Sequence, residues 1–378
     1  VPPPWRRDLG VWVETQARAA VLTGYGEPLV IRQIEIGDLH EHEILVRIAG
    51  VGICHTDFTA AAGGVPVPVP AVLGHEGAGV VEAVGTGVER LKPGDHVVLS
   101  YSACRSCRNC RSGHPAYCAH FAPRNYAGRR ADGSTTLRLD GADLHGNWFG
   151  QSSMATHAVV DAGDAVLVAD DLPIELLGPL GCGIQTGAGA VLRVLRPRAG
   201  SSIVVFGAGA VGLGAVLAAV VAGCAQIVVV DPVGARRDLA LSLGATDAVD
   251  GADADLARQL RKLTGGGADH SVDTVSSETV LGTAVSVLRS PGSCATLGLR
   301  GQRNPVTLDQ SALLMGRSVT GVIEGDVDPQ VFIPELIALW QAGRFPFDRL
   351  VTTFPFDELE NALAAARDGT VAKAVLTF

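Results

Sequence analysis

The chain has 378 residues, of which 47% are hydrophobic and 18% charged, with a formal net charge of -9. That composition excludes a disordered chain, and a spread-out acidic excess disfavours nucleic acid or an anionic membrane as partner, since both need clustered cations. At about 100–200 residues per domain the length predicts two or three domains, with small molecules as the expected partners.

Residues 1–16, VPPPWRRDLGVWVETQ, hold no apolar run and no small-residue cleavage site. They read as an N-terminal extension, and the expected location is the cytoplasm. GICHTDF then presents Cys54, VPVPVP (Val65 to Pro70) reads as a short extended loop, and LGHEGAGVVEAVG presents His75. Singly these residues say little, because a lone Cys is usually a small hydrophobe and a lone His a satisfied core or surface residue.

CRSCRNCRSGHPAYC sets Cys104, Cys107, Cys110 and Cys118 in the spacing C-x2-C-x2-C-x7-C. Disulfides are disfavoured in so large a chain with the cysteines crowded into one loop. The bacterial iron–sulfur run agrees only through its third cysteine. Four thiolates close a tetrahedral zinc site and leave no position for a substrate, so the expectation is a structural zinc clamp. Arg105, Arg108 and Arg111 either offset its negative charge or form a solvated loop face. The segment from Phe121 to Gly150 is expected to be a long ordered loop over a cleft. Within it Phe121, Trp148 and Phe149 read equally as an aromatic pocket or as core. GPLGCGIQTGAGA adds Cys182. Together Cys54, His75 and Cys182 make the three-ligand set of an open catalytic zinc site, with the fourth position left for water or substrate.

No charged residue occurs from Ala199 to Val230, a length that nominally suits a membrane span. Its glycines, Gln226 and the β-branched bursts SIVVF and QIVVV instead predict strand, helix, strand. Gly207, Gly209 and Gly212 fall in the G-x-G-x-x-G spacing between the first strand and the helix, and Asp231 ends the second strand. In that context the glycines allow a tight turn, close approach of a pyrophosphate and close helix packing. Asp231 would accept hydrogen bonds from the adenosine ribose and repel a 2′-phosphate, favouring NAD over NADP. Arg236 and Arg237 blur that preference: they read as an exposed helix start, or as cations that soften the selection against NADP. Gly265 to Gly267 lack a following Lys-Ser/Thr and read as a turn into a strand. Cys224 and Cys294 sit in apolar contexts and read as inert buried thiols.

The chain is strand-rich before about Ile184 and alternates strand and helix from Gly200 to about Ile323, the pattern of a doubly wound parallel sheet. From Glu324 onward, FIPELIALWQAG and FDELENALAAARDG read as amphipathic helices and AKAVLTF as a final strand. No internal repeat is visible.

From about Ala17 to Phe378 the sequence resembles the zinc-dependent medium-chain alcohol dehydrogenases, through GHEGAGVVEAVGTGVERLKPGDHV and the spacing of the four clustered cysteines. CHTDF, HPAYC, HGNWFGQSSMATHAVV and LGCGIQTGAGAVL look most like the aryl-alcohol, or benzyl-alcohol, dehydrogenase branch. The resemblance implies an α/β protein with a GroES-like β-barrel catalytic domain (17–183 and 324–378, carrying the structural-zinc lobe) and a Rossmann NAD-binding domain (184–323). It implies two zinc ions per chain and oxidation of a primary alcohol, aryl or allylic, with NAD. Residue by residue, Glu76 matches a second or transient metal ligand and Asp57 a carboxylate orienting His75. Thr56 matches a hydroxyl proton relay, or else is a buried hydroxyl bonded to backbone. His55 is divided between relay and pyrophosphate contact. Thr186 matches a residue beside the nicotinamide, Arg236 a cofactor-ribose contact, and Lys373 a basic residue near the pyrophosphate. The relay histidine of well-studied animal members is replaced by Thr59, so the outer relay must differ, running through water, the nicotinamide ribose or His55. A homodimer or homotetramer joined through the cofactor domain is expected. Two other readings stay open, a thiol-dependent formaldehyde dehydrogenase of the same family and a non-catalytic NAD-binding protein.

Overall fold

The computed structural model describes residues 16–378. The expected extension therefore lies outside the described residues except for Gln16, which opens the first strand, Gln16–Leu22, and so belongs to the fold. That strand alternates exposed and buried positions before becoming fully buried, as a strand with one solvated face must. It pairs antiparallel with Val30–Ile36 in a register that sets Ala19 opposite Arg32.

Among the described residues the strands form three sheets. The first runs Ala71–Val72, Gln16–Leu22, Val30–Ile36, Leu137–Leu139, Ala142–Leu144. The second is built around the long strand Glu43–Gly52, which takes Gly77–Val84 along one edge. Along the other edge it takes His157–Asp161 and then the C-terminal strand Lys373–Thr377. The third is parallel throughout, in the order Asp247–Val249, Gln226–Val230, Ser202–Phe206, Ala268–Asp273, Leu288–Thr296, Arg317–Gly321. Numbered by chain position this is 3-2-1-4-5-6, the dinucleotide-binding order, whose ligand crevice opens beside the first strand.

The expected loop from Phe121 to Gly150 is more structured than its sequence suggested. It holds a short helix, Phe121–Asn125, and a hairpin whose Asp140 and Gly141 both have positive φ, 51° and 79°. An Asp-Gly pair with two left-handed residues is the tight turn that matches strand twist, and it was the missed signal. The hairpin adds to the first sheet through Glu35 opposite Arg138, so its middle extends a sheet rather than lying over a cleft.

The uncharged stretch resolves into Ser202–Phe206, the helix Ala210–Val221 and Gln226–Val230. No helix among the described residues is long and apolar enough to cross a membrane. Gly265, Gly266 and Gly267 all have positive φ and make the turn before Ala268–Asp273. The tail gives helices Pro329–Gln341 and Leu359–Asp368, and its last strand sets Val375 opposite Gly52.

Candidate metal and cofactor site

Each of the three scattered donors stands where an element begins. Cys54 is the residue before the helix His55–Ala61, Cys182 the residue before the helix Gly183–Gly189, and His75 lies in the irregular turn before Gly77–Val84. One donor atom each from Cys54, His75, Glu76 and Cys182 lie within 4.8 Å of one another. His75 is 1% exposed, and its Nε2 has no hydrogen-bond partner. A buried ring nitrogen without a partner is costly unless something binds it, and two thiols facing it make a soft, zinc-suited donor set.

The electrostatics fit a cation. The hydrogen bond with Cys182 pulls the Cys54 thiol well below its ordinary range, and the same bond together with burial pushes Cys182 up. Burial works against charge on His75, but Asp57 and Cys54 outweigh it and hold the imidazole well above its ordinary value. A divalent ion would draw the protons off both thiols and take the Nε2 lone pair.

Asp57 is 3% exposed, and its Oδ1 accepts from His75 Nδ1 at 2.8 Å. Glu76 is fully buried and bound by Lys373 Nζ at 2.9 and 2.8 Å, while Gly183 N donates to it at 3.2 Å. Lys373 also donates to the Ile53 carbonyl at 3.1 Å, so its ammonium is committed to Glu76 and the strand end rather than standing on an open surface. His55 is exposed and Thr56 half-buried on the first turn of their helix. The Thr59 hydroxyl donates back to the His55 carbonyl at 3.1 Å. The phenyl and indole of Phe149 and Trp148 are buried; Trp148, at 0% exposure, is core and presents no surface to a substrate. Phe121 is half-buried and packs edge-on against Phe149.

Glu324 was missed in the sequence, where it marked only the return of the chain to the first domain. It is 5% exposed, with Oε1 3.7 Å from Cys182 Sγ and Oε2 accepting from Gln185 Nε2 at 3.2 Å. Burial pushes its carboxyl up to about 7. An acidic residue inside the apolar run GVIEGD was the available signal. Gln151 was missed as well: its amide donates to the His75 carbonyl at 3.1 Å and accepts from Gly77 N at 3.1 Å, fixing the turn that carries the imidazole.

The glycine turn lies against this set. Gly207 has φ 94°, and an added Cβ there would collide with Thr274 Oγ1. A Cβ on Gly212 would collide with the Gly207 carbonyl, whereas Gly209 faces open space at the start of Ala210–Val221. That opening at a helix N-terminus is the cradle a pyrophosphate needs. Gly183 bridges the two sites, since its Cβ position lies 3.2 Å from Glu76 Oε1 and 3.8 Å from Ala210 Cβ. Thr186, 8% exposed, is one turn further along the same helix. Asp231, 3% exposed, accepts from Ala208 N and Val233 N, each at 2.8 Å, and Arg236 stands 4.0 Å from it. Arg237 donates to the Asp231 carbonyl at 2.7 Å and so acts on backbone.

The four clustered cysteines form a separate group, with Cys107 Sγ 3.5 Å and Cys104 Sγ 3.9 Å from Cys110 Sγ. These separations are far longer than a disulfide's ~2.05 Å. Backbone N–H groups of Cys104, Cys107, Ala119 and His120 point at the sulfurs at 3.3 to 3.5 Å, which favours thiolates. Against burial, the Ser106 and Cys107 amides hold Cys104 down at about 5. Arg105 anchors the loop by donating to the Gly163 carbonyl and to Asp164. A cavity of about 700 Å³ beside the loop, lined by His42, Arg130 and Asp164, touches neither the scattered donors nor the glycine turn. Burial pushes the Cys224 and Cys294 thiols up to about 11 and about 12, which suits inert cysteines.

Residues 40–170 match the family model of the alcohol dehydrogenase GroES-like domain, and residues 210–341 that of the zinc-binding dehydrogenases. The chain is 48% identical to geraniol dehydrogenase of Castellaniella defragrans, over 96% of this chain and 98% of that protein. A zinc-binding-domain alcohol dehydrogenase of Burkholderia ambifaria superposes with a TM-score of 0.94 at 44% identity, covering 97% of this chain and all of that one. Benzyl alcohol dehydrogenase of Acinetobacter calcoaceticus does so with a TM-score of 0.93 at 41% identity, covering 96% and 99%. With its donors gathered in one set, buried but for the half-buried Cys54, beside a dinucleotide-binding turn, the chain belongs to the zinc-dependent medium-chain alcohol dehydrogenase family.

Proposed function

We propose that the chain reversibly oxidises aryl or allylic primary alcohols to aldehydes with NAD, using one zinc ion at Cys54, His75 and Cys182 and a second, structural one at Cys104, Cys107, Cys110 and Cys118. The observation that carries this reading is the buried, unpartnered Nε2 of His75 facing two thiols beside an open glycine turn. Geraniol is an allylic and benzyl alcohol an aryl primary alcohol, and relatives named for both cover nearly the whole chain.

Zinc, when bound there, supplies Lewis acidity that lowers the pKa of an alcohol. The protein's own groups do the rest. Asp57 holds His75 in the tautomer that leaves Nε2 free. Lys373 neutralises Glu76, so that this carboxylate can stay buried beside the donors as a transient ligand. Thr56 would take the alcohol proton outward, and the exposed His55 is the side chain proposed to pass it to solvent, since the Thr59 hydroxyl is committed to its own helix. In this reading Asp231 would disfavour a 2′-phosphate, Arg236, 4.0 Å from it, would meet the ribose, and Thr186 would stand beside the nicotinamide. The expected compartment is the reducing cytoplasm, which suits a chain whose cysteines serve mainly as metal ligands. We assign a homodimer or homotetramer joined through the cofactor domain, supported by the outer parallel strand Arg317–Gly321 and the adjoining exposed Leu314 and Met315.

The test follows reduced nicotinamide with benzyl alcohol or geraniol and either NAD or NADP, with 1,10-phenanthroline as control and formaldehyde plus a small thiol as a separate arm. Chelator-sensitive turnover of the alcohols with NAD is expected. Turnover only in the formaldehyde arm would replace the substrate assignment, and none in any arm would remove the catalytic reading.

A further inference from the structure

We infer that Trp148 and Phe149 together clamp the imidazole of His75, one through its edge and one on its face, and so determine how tightly the catalytic zinc is held. The inference rests on the proposed metal site and extends it to two positioning residues.

The edge contact runs through Asp57. Its Oδ1 receives three N–H groups, from His75 Nδ1 at 2.8 Å, Trp148 Nε1 at 2.9 Å and Gly74 N at 3.2 Å, and its Oδ2 takes Cys54 N at 3.2 Å. A fully buried carboxylate must have its lone pairs satisfied, and the indole supplies one of only two side-chain donors on it among the described residues. Without Trp148 Nε1 the carboxylate could swing toward other donors, and His75 would lose the acceptor that fixes its Nδ1.

The face contact is a stack. The Phe149 ring lies 4.4 Å from the His75 ring at an interplanar angle of 25°, while Trp148 meets the same imidazole edge-on at 6.3 Å and 86°. Phe149 achieves this in a left-handed conformation, φ 50° and ψ 35°, which bulky residues rarely adopt. Such strain persists only where the surroundings over-determine it, and here they do. Ser152 Oγ accepts from Trp148 N at 2.9 Å and donates to the Val72 carbonyl at 2.6 Å, tying the Trp148 turn to the segment that leads into His75. The imidazole thus has its Nδ1 fixed and one face covered, which leaves Nε2 aimed at Cys54 and Cys182.

The experiment measures zinc release to a chromophoric chelator from the full-length, zinc-loaded protein, with the four-cysteine site as internal reference. In the wild type two release phases are expected, one of which disappears in Cys182→Ser. Trp148→Phe, which keeps an aromatic ring but removes the N–H, is expected to speed that phase about 10- to 100-fold, the usual cost of losing a group that supports a metal ligand. Phe149→Leu is expected to speed it less, and both variants should leave the reference phase unchanged. If Trp148→Phe does not fold, the indole N–H of Trp148 provides the second measurement. Its hydrogen exchange in the wild type should be slow and should accelerate in Asp57→Ala, which removes the acceptor. Release from Trp148→Phe at the wild-type rate, or an indole N–H indifferent to Asp57→Ala, overturns the clamp while leaving the zinc site intact. A wild type with a single phase, unaffected by Cys182→Ser, removes the zinc site and the clamp together.

Discussion

The two cysteine-bearing sites are built by opposite routes. Cys104, Cys107, Cys110 and Cys118 come from one loop, are mostly half-buried, and have their sulfurs supported by amides of that same loop. Cys54, His75 and Cys182 come from three distant segments, and their support comes from further still, with Lys373 297 positions from Glu76 and Trp148 91 positions from Asp57. A site encoded locally can only tie its own loop down. A site assembled by the whole fold can be dry and can adjoin a second binding site, which is what chemistry on a bound alcohol requires.

The largest effect that separates the two is on turnover. Cys182→Ser should lower kcat/KM by at least about 10³-fold, roughly 4 kcal/mol in transition-state stabilisation, while circular dichroism stays native. On the proposed two-zinc reading, zinc content should fall by one ion per chain; unchanged turnover would mean that the scattered set is not the reaction centre.

Next comes the ion pair that only the scattered site has. Lys373→Met leaves the Glu76 carboxylate buried without its partner, which costs about 3–5 kcal/mol. Burial already pushes Glu76 upward, and Lys373 opposes that shift. Denaturant titration of the zinc-loaded variant reads the cost directly, and a midpoint equal to the wild type's would show that the pair is dispensable.

Cys107→Ser should do the reverse of Cys182→Ser. Stability should drop by about 2–3 kcal/mol, seen as a melting midpoint lowered by roughly 3–4 °C in a chain of this length, while the protein that remains folded turns over at the normal rate. A loss of turnover without a loss of stability would erase the contrast between the sites.

The smallest effect lies under the loop, where Asp164 accepts from Arg105. Burial, helped by Asp161, pushes this carboxyl up to about 7 in the folded state, against an ordinary value near 3.9 when unfolded. Its folded form binds the proton more tightly, so its share of stability is complete below about pH 4, declines as pH rises toward 7 and is gone above it. Asp164→Asn should therefore gain on the wild type between pH 5 and pH 7 and hold that gain at pH 8. The gain should be about 1–2 kcal/mol, since the lost charge-assisted bond to Arg105 offsets part of it. Melting curves at three pH values test this, and a gain that shrinks with rising pH contradicts it.

What could be read in the chain was what the chain spaces locally. The four-cysteine loop, the glycine turn with Asp231 behind it, and the strand and helix bursts of the parallel sheet are each specified within a few tens of residues. There, covalent spacing fixes which groups can meet. The donor types at Cys54, His75 and Cys182 were legible too, although only side by side and by resemblance. The Asp140-Gly141 hairpin is equally local, but flanking strands of only three residues each carry too little alternation to mark it. Tertiary structure alone decided the rest. It made Trp148 a buried donor to Asp57 rather than a pocket wall, turned Lys373 inward onto Glu76, and brought Glu324 against Cys182. Those pairings depend on which strands adjoin across the second sheet and on where the tail returns, with Val375 opposite Gly52. Spacing along the chain limits contacts within a loop, but it carries no record of which distant buried charge will need a partner once water is excluded.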